Sequence, residues 1–217
     1  DVTSDVALKT GFHYASRHFN VGGGAAMFGP GYRNELGFVE QAGVHRQRLS
    51  FSATTYPTSG PLQSIAVWNE NWMIHETRGA LVSANAMLGV ECSFRANATL
   101  SPWVLVTNED WLGRHYRQAT VHVGYDDARL HAVQFHVESQ IGDGISYGPT
   151  SEESYGAWTE SDGFTCTVRP REWITAEAAV SRYVLARHAF AAPELEQWLS
   201  GLKLTAQLSR QLSVRAY

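Results

Sequence analysis

Histidines, carboxylates and glycine runs are where this chain could carry chemistry, and their spacing can be tested against what each chemistry needs. Nine histidines are present. His131 and His136 lie five apart, which on extended chain puts them on opposite faces, with His122 on a neighbouring segment across from them. Zinc sites draw ligands from close Cys/His pairs. No such spacing occurs, so no metal site is expected. Asp143, Glu152, Glu153, Glu160 and Asp162 crowd the stretch from Gln140 to Gly163. Paired carboxylates serve glycosidases and oxygen-rich loops hold calcium. The spacing matches no calcium loop, and acids set among Gly, Ser and Tyr read as a solvated loop. Asp126-Asp127 could form an acidic pair at a rim, but aspartate is favoured in tight turns for its backbone hydrogen bonds. No local signature of a Ser–His–Asp arrangement is read along the chain. Gly22-Gly23-Gly24, with Gly29 and Gly31, lacks the helix and spacing of a dinucleotide fingerprint and the Lys-Ser/Thr of a P-loop. It reads as a permissive loop. The expectation is no catalytic residue, no cofactor-binding residue, no cofactor and no metal ligand.

Composition narrows the class. Of 217 residues, 18% are charged and 12% aromatic, against about 25% charged in ordinary soluble domains. A net charge of −4, with no Lys/Arg cluster, argues against a nucleic-acid partner. No apolar stretch approaches the roughly 18 residues of a membrane helix, which says nothing of barrel strands. The chain opens on Asp1 without Met or a signal-peptide pattern, so a removed leader is expected. Cys92 and Cys166 fall on apolar parities of separate strands and are expected as free thiols.

The elements are legible as alternation. From Ala80 to Leu100, Val82, Ala84, Ala86, Leu88, Val90, Cys92, Phe94 and Ala98 share one parity. Ser83, Asn85, Gly89, Glu91, Ser93, Arg95 and Asn97 share the other. A period of two is extended chain with one apolar and one wet face. The run is too long for one strand and predicts a hairpin at Arg95-Ala96-Asn97. Similar alternation predicts strands around Phe51, Val123, Phe135, Cys166, Ala178, Leu204 and Val214, about eleven in all. Apolar parity is preserved across Asp126-Asp127-Ala128, Arg169-Pro170-Arg171 and Ser209-Arg210-Gln211, predicting three-residue turns there too. Longer links are expected at His13–Phe19 with Gly22–Gly43, at Asn108–Tyr116, Gln140–Gly163 and Arg187–Gln197. Shorter ones are expected at Pro57–Pro61 and Glu76–Gly79, and Ala191–Leu199 could form a helical turn or two.

Short and long links that take turns predict an all-β, antiparallel up-and-down transmembrane β-barrel or part of one, with short periplasmic turns and long extracellular loops. The apolar parity would meet lipid. Glu91, Arg95, Glu177, Lys203, Gln207 and Arg215 would line the lumen. Trp72, Trp103, Trp111, Trp158, Trp173 and Trp198 are expected near strand ends, as an interfacial girdle.

Several short motifs resemble one family. Gly37-Phe38-Val39, Gly142-Asp143-Gly144-Ile145, Val168-Arg169-Pro170 and the closing stretch from Leu202 to Arg215 look like the barrel domain of unknown function 5916. That domain usually follows a family-9-like carbohydrate-binding module. The resemblance implies a β-barrel in the outer membrane of a Gram-negative bacterium, and it carries no catalytic residues across. The carbohydrate-binding module is absent from this chain. A single barrel domain over residues 1–217 is expected, as the C-terminal portion of a longer barrel protein. It would serve as membrane anchor or passage without catalysis. Its partners would be outer-membrane lipid and an extracellular glycan or small-molecule cargo. The alternative is a soluble all-β module, sandwich or lipocalin-like, binding a small ligand or carbohydrate.

Overall fold

A computed structural model describes residues 6–30, 43–77, 79–207 and 212–216. These form a single antiparallel sheet of twelve strands in which every strand pairs with its chain neighbours. The strands are β1 (Ala7–Ala15), β2 (Phe19–Phe28), β3 (Val44–Thr55), β4 (Leu62–Glu76), β5 (Leu81–Phe94) and β6 (Ala98–Trp111). They continue as β7 (Arg114–Leu130), β8 (Val133–Ser146), β9 (Tyr155–Arg171), β10 (Ile174–Ala186), β11 (Pro193–Gln207) and β12 (Ser213–Ala216). There is no helix among the described residues. The fold is therefore an up-and-down meander.

Register decides which side chains share a face. Val67 pairs Val90, Leu88 pairs Val104, Val104 pairs Val121, and Val121 pairs Ile141. Farther along, Val137 pairs Phe164, Phe164 pairs Val180, and Ala178 pairs Leu202. The apolar parity thus forms one continuous face, and no described element covers it. Leu88 is 54% exposed, Val121 47% and Leu202 67%. The opposite face carries Glu70, Asn85, Thr107, His122, Glu138 and Lys203. Among the described residues the buried hydrophobic ones are few: Val44, Ala98, Ile145, Ala157, Val184 and Ala186. A sheet of this size with so small a dry core keeps its hydrophobic surface on the outside rather than between layers.

The hairpin at Arg95-Ala96-Asn97 forms as the alternation requires, with Asn97 at φ 56° supplying the left-handed residue of a three-residue turn. Arg95 does not line a lumen. It donates to the Gly60 and Pro57 carbonyls at 3.1 and 2.7 Å and ties two turns together. Leu204 pairs with Ala216 and Gln207 with Ser213, and the turn expected at Ser209-Arg210-Gln211 lies outside the described residues. Gly37-Phe38-Val39 and Tyr217 also lie outside them.

Other expected boundaries moved. Asp126-Asp127-Ala128 is not a turn: β7 continues to Leu130 and the hairpin closes at His131-Ala132. The turn chemistry of Asp127 is real but local. Its carboxylate accepts from the Arg129 backbone N–H at 3.0 Å and from Arg129 Nε at 2.7 Å, where the register slips by a bulge. Arg169-Pro170-Arg171 likewise stays in β9, with the turn at Glu172-Trp173. Four long links shrink to strand plus short connection. Gly22 to Phe28 is most of β2 and His13 belongs to β1. The glycine run holds as a strand because the Phe12 ring lies over Gly23, where an added Cβ would meet Phe12 Cε1 at 2.6 Å. Asn108–Tyr116 is two strand ends joined by Leu112-Gly113, both at positive φ, the backbone of a tight hairpin turn. Gln140–Gly163 keeps only residues 147–154 as a loop, and Arg187–Gln197 only residues 187–192. Ala191–Leu199 is largely β11, not helix. These recovered segments bring the strands to twelve instead of eleven.

The tryptophans divide. Trp158 and Trp198 lie on the apolar face, and Trp111 and Trp173 at strand ends or turns. Trp72 and Trp103 are mid-strand on the polar face, opposite Arg48 and His122, so they form no girdle. Cys92 and Cys166 are free, on the apolar face of β5 and β9.

At its two ends the sheet is uneven. β12 pairs only Leu204 to Gln207 of β11, and among the described residues Pro193 to Lys203 have no strand on that side. β1 is exposed along its whole length.

Candidate functional site

Two i, i+2 patterns build the densest polar array of the wet face. On β7 they are His122, Gly124 and Asp126, and on β8 His136, Glu138 and Gln140. Alternate residues share a face. Register then sets Asp126 against His136, Gly124 against Glu138 and His122 against Gln140. His136 Nδ1 donates to Asp126 Oδ1 at 2.8 Å. Its other nitrogen, Nε2, lies 3.6 Å from Glu138 Oε2, and His122 Nε2 lies 3.5 Å from the same oxygen. One carboxylate oxygen is therefore flanked by two imidazole nitrogens.

The packing explains why the array holds its shape. His122 stacks on Trp103 with ring centroids 4.5 Å apart and planes 10° from parallel. Its Nδ1 is buried without a hydrogen-bond partner. Glu138 rests over Gly163, where an added Cβ would meet Oε1 at 2.8 Å. The Cβ missing at Gly124 similarly leaves room for Ser101 Oγ and His122 Cε1. Among the described residues no group of three or more His, Cys, Asp and Glu is arranged to hold a metal ion. The array fixes the His136 ring by its hydrogen bond to Asp126 and sets Glu138 between two imidazoles.

A second charged group sits on the apolar face near the opposite rim from the His131 turn. Arg182 reaches Glu196 at 2.9 Å, Glu160 at 3.5 Å and Asp162 at 3.6 Å. Trp198 lies beside the guanidinium, 5.7 Å from ring centroid to Cζ, and its Nε1 donates to Glu196 at 3.2 Å. The acids grouped by sequence thus separate. Glu160 and Asp162 serve Arg182, Asp143 accepts from the Ala119 N–H at 3.1 Å, and Glu152 and Glu153 stay in the loop.

That loop is pinned. Tyr147 donates to Glu109 at 3.1 Å, and burial, then the Glu109 charge and hydrogen bond, push its hydroxyl up to about 12. Buried Ser154 closes the loop on itself, its Oγ donating to the Thr150 carbonyl at 2.9 Å. Against the expectation of no local Ser–His–Asp signature, Gly144-Ile145-Ser146-Tyr147-Gly148 has the spacing of a nucleophile elbow. An elbow needs a strand-to-helix turn. Here Ser146 ends β8 and the chain returns as β9, so the motif is structural.

Of the residues singled out by sequence, His131 falls in the β7–β8 turn, while His122 and His136 share the polar face with Glu138 between them. Glu138 was missed. Its signal was the His136-x-Glu138 spacing beside His122-x-Gly124-x-Asp126, which only the correct hairpin turn brings together. Glu177 and Lys203 face each other across β10 and β11 on the polar face.

The chain matches no protein-family model, no curated protein and no solved structure.

Proposed function

We propose that this chain is an outer-membrane β-barrel segment, serving as membrane anchor or passage and performing no catalysis. The observation that carries the reading is the exposed apolar parity: a contiguous hydrophobic face with no second layer against it, backed by a polar face. Soluble proteins rarely leave apolar patches beyond a few hundred Å² uncovered. Hydrocarbon is the solvent such a face fits. The dimensions agree. From Ala84 to Phe94 the apolar residues of β5 span ten steps, about 33 Å along the strand and about 25 Å across a bilayer at the usual barrel tilt. Strand pairing on both sides satisfies the backbone of β2 to β10 within that thickness. The Arg182 group and the Asp127–Arg129 pair would then lie at the two edges of the band.

In this reading the turns at 95–97, 131–132 and 172–173 face the periplasm, and the loops at 147–154 and 187–192 the exterior. The likeness to domain 5916 and the origin in a longer barrel protein belong to the same proposal. A soluble binding module would need its apolar parity inside. The test is refolding of the full chain with and without detergent. The expected result is β-rich circular dichroism and faster migration of unheated samples in micelles, with precipitation when detergent is removed. Monodisperse, β-rich protein in plain buffer would overturn it.

A further inference from the structure

The apolar parity is not uniform. Over most of its area it carries exposed, bulky side chains, among them Val104, Val121, Val137, Phe164 and Val180. Around β4 it changes character. One row across β2 to β6 reads Gly23, Leu49, Asn71, Ala86 and Val106, and the next Val21, Phe51, Asn69, Leu88 and Val104. Two asparagines thus stand on the apolar parity, opposite Ala86 and Leu88 and inside the band from Ala84 to Phe94. The small side chains beside them leave a shallow depression of about 730 Å³, lined by Gly23, Ala25, Leu49, Asn71, Ala84 and Ala86.

Neighbouring groups satisfy these amides only in part. Asn69 donates to the Met87 carbonyl at 2.8 Å, and its own Oδ1 accepts from Asn71 Nδ2. Asn71 is half-buried, and its Oδ1 accepts from no described residue. Each Nδ2 also has a second hydrogen to give. Water would meet such groups on a wet surface. Hydrocarbon cannot, and leaving them bare there costs free energy. A lipid tail offers neither donor nor acceptor.

The geometry of a bilayer selects the partner. Copies of one chain inserted in the same sense are related by rotation only about the membrane normal, which keeps every residue at its own depth. Under two-fold symmetry the same patch faces itself, so Asn71 of one copy meets Asn71 of the other. An amide carries both a donor and an acceptor, and two of them satisfy one another with a reciprocal pair of hydrogen bonds. Gly23, Ala25, Ala84 and Ala86 let the two backbones come close, as small residues do between membrane segments. We propose that the patch around Asn71, from β2 to β5, is the interface of a two-fold dimer of this chain, closed by Asn71 against Asn71. The dimer rests on the membrane reading of the apolar face.

Sedimentation equilibrium of the full refolded chain in density-matched micelles tests it. The parent is expected to dimerise reversibly. Asn71→Leu suits hydrocarbon better than asparagine and should refold as the parent does. It should weaken the dimer about tenfold, the loss of two amide hydrogen bonds between membrane segments. Ala86→Phe should weaken it too, by holding the backbones apart. Val121→Phe, on the bulky part of the face, should leave it intact. A parent that stays monomeric, an Asn71→Leu dimer as tight as the parent's, or equal losses from the two phenylalanine variants would overturn the interface. A chain that needs micelles yet stays monomeric in them overturns the dimer alone. One that is monodisperse and β-rich in plain buffer overturns the membrane reading and the dimer together.

Discussion

The two charged groups of this sheet are built on opposite logic. Around Arg182, on the apolar face, every carboxylate lies within 3.6 Å of one guanidinium, and Trp198 flanks it. Around Glu138, on the polar face, one carboxylate oxygen is shared by two histidine nitrogens at 3.5 and 3.6 Å, and the other nitrogen of His122 is buried with no partner. Charges beside a hydrophobic band are tolerated when they answer one another. Charges on a wet face can stay loosely paired, because water completes what the side chains leave unmet. The Arg182 group is therefore closed on itself, and the Glu138 group is the more open of the two.

The sharpest way to break the contrast is to put a lone cation where the apolar face has none. Leu88→Arg should cost about 2–4 kcal/mol of stability in bilayers, the range for Arg near a membrane midplane, whereas Ser93→Arg on the other face should leave assembly intact. Urea-driven unfolding from vesicles compares the two; equal losses would erase the distinction between faces. Next comes the packing of the polar array. Gly163→Ala brings a methyl against the half-exposed Glu138 side chain, which must swing aside from the histidines, and should cost about 1 kcal/mol, the low end for overpacking. In the same assay, Gly156→Ala, whose Cβ meets nothing within 4 Å, serves as its control. A smaller effect is expected at Arg182. Arg182→Ala should lower the urea midpoint by leaving three carboxylates without their common partner, and Arg182→Lys should recover part of the loss because an ammonium cannot fork. An unchanged midpoint in the alanine variant would remove the group from any stabilising role.

The smallest effect is one of pH. The Tyr147 hydroxyl titrates near 10.0 when free and at about 12 beside Glu109. Its folded value is raised, so its contribution is fully present below pH 10 and is lost as pH rises through 12, where the unfolded chain has already released the proton. Stability of the parent should fall across that window more steeply than that of Tyr147→Phe. Parallel curves would show that the loop contact adds nothing.

How far the sequence carried this reading depends on which solvent each stretch meets. Between Ala84 and Leu100 one face is apolar and the other wet, so alternation is plain and even the turn at 95–97 could be read. Asn108 to Trp111 and Arg114 to Arg117 are equally good strand, but polar side chains stand on both faces. Period-two hydrophobicity reports a difference between two environments, and where both sides are aqueous it vanishes though the ladder continues. Within Gly22–Gly43 the alternation is lost for another reason, glycine and alanine standing on both faces of Gly22–Ala26, and Arg187–Gln197 reads as a link because Glu194 and Glu196 stand on the apolar parity. Missing the ends of β7 and β8 also hid the array. With the hairpin placed at Asp126, His136 could not face that residue; with it at His131-Ala132, the pair meets. The Arg182 group was beyond any reading of spacing, because it gathers residues from three strands, whereas the Glu138 group draws on two.

One seam of the sheet has a consequence for whatever surrounds it. From Pro193 to Lys203, β11 presents one side of its main chain with no neighbouring ladder among the described residues. Oil cannot satisfy amides and carbonyls, and each one left bare there costs several kcal/mol. Lipid tails alone are therefore the wrong cover for that margin. It accepts peptide backbone or water, and within a bilayer only backbone.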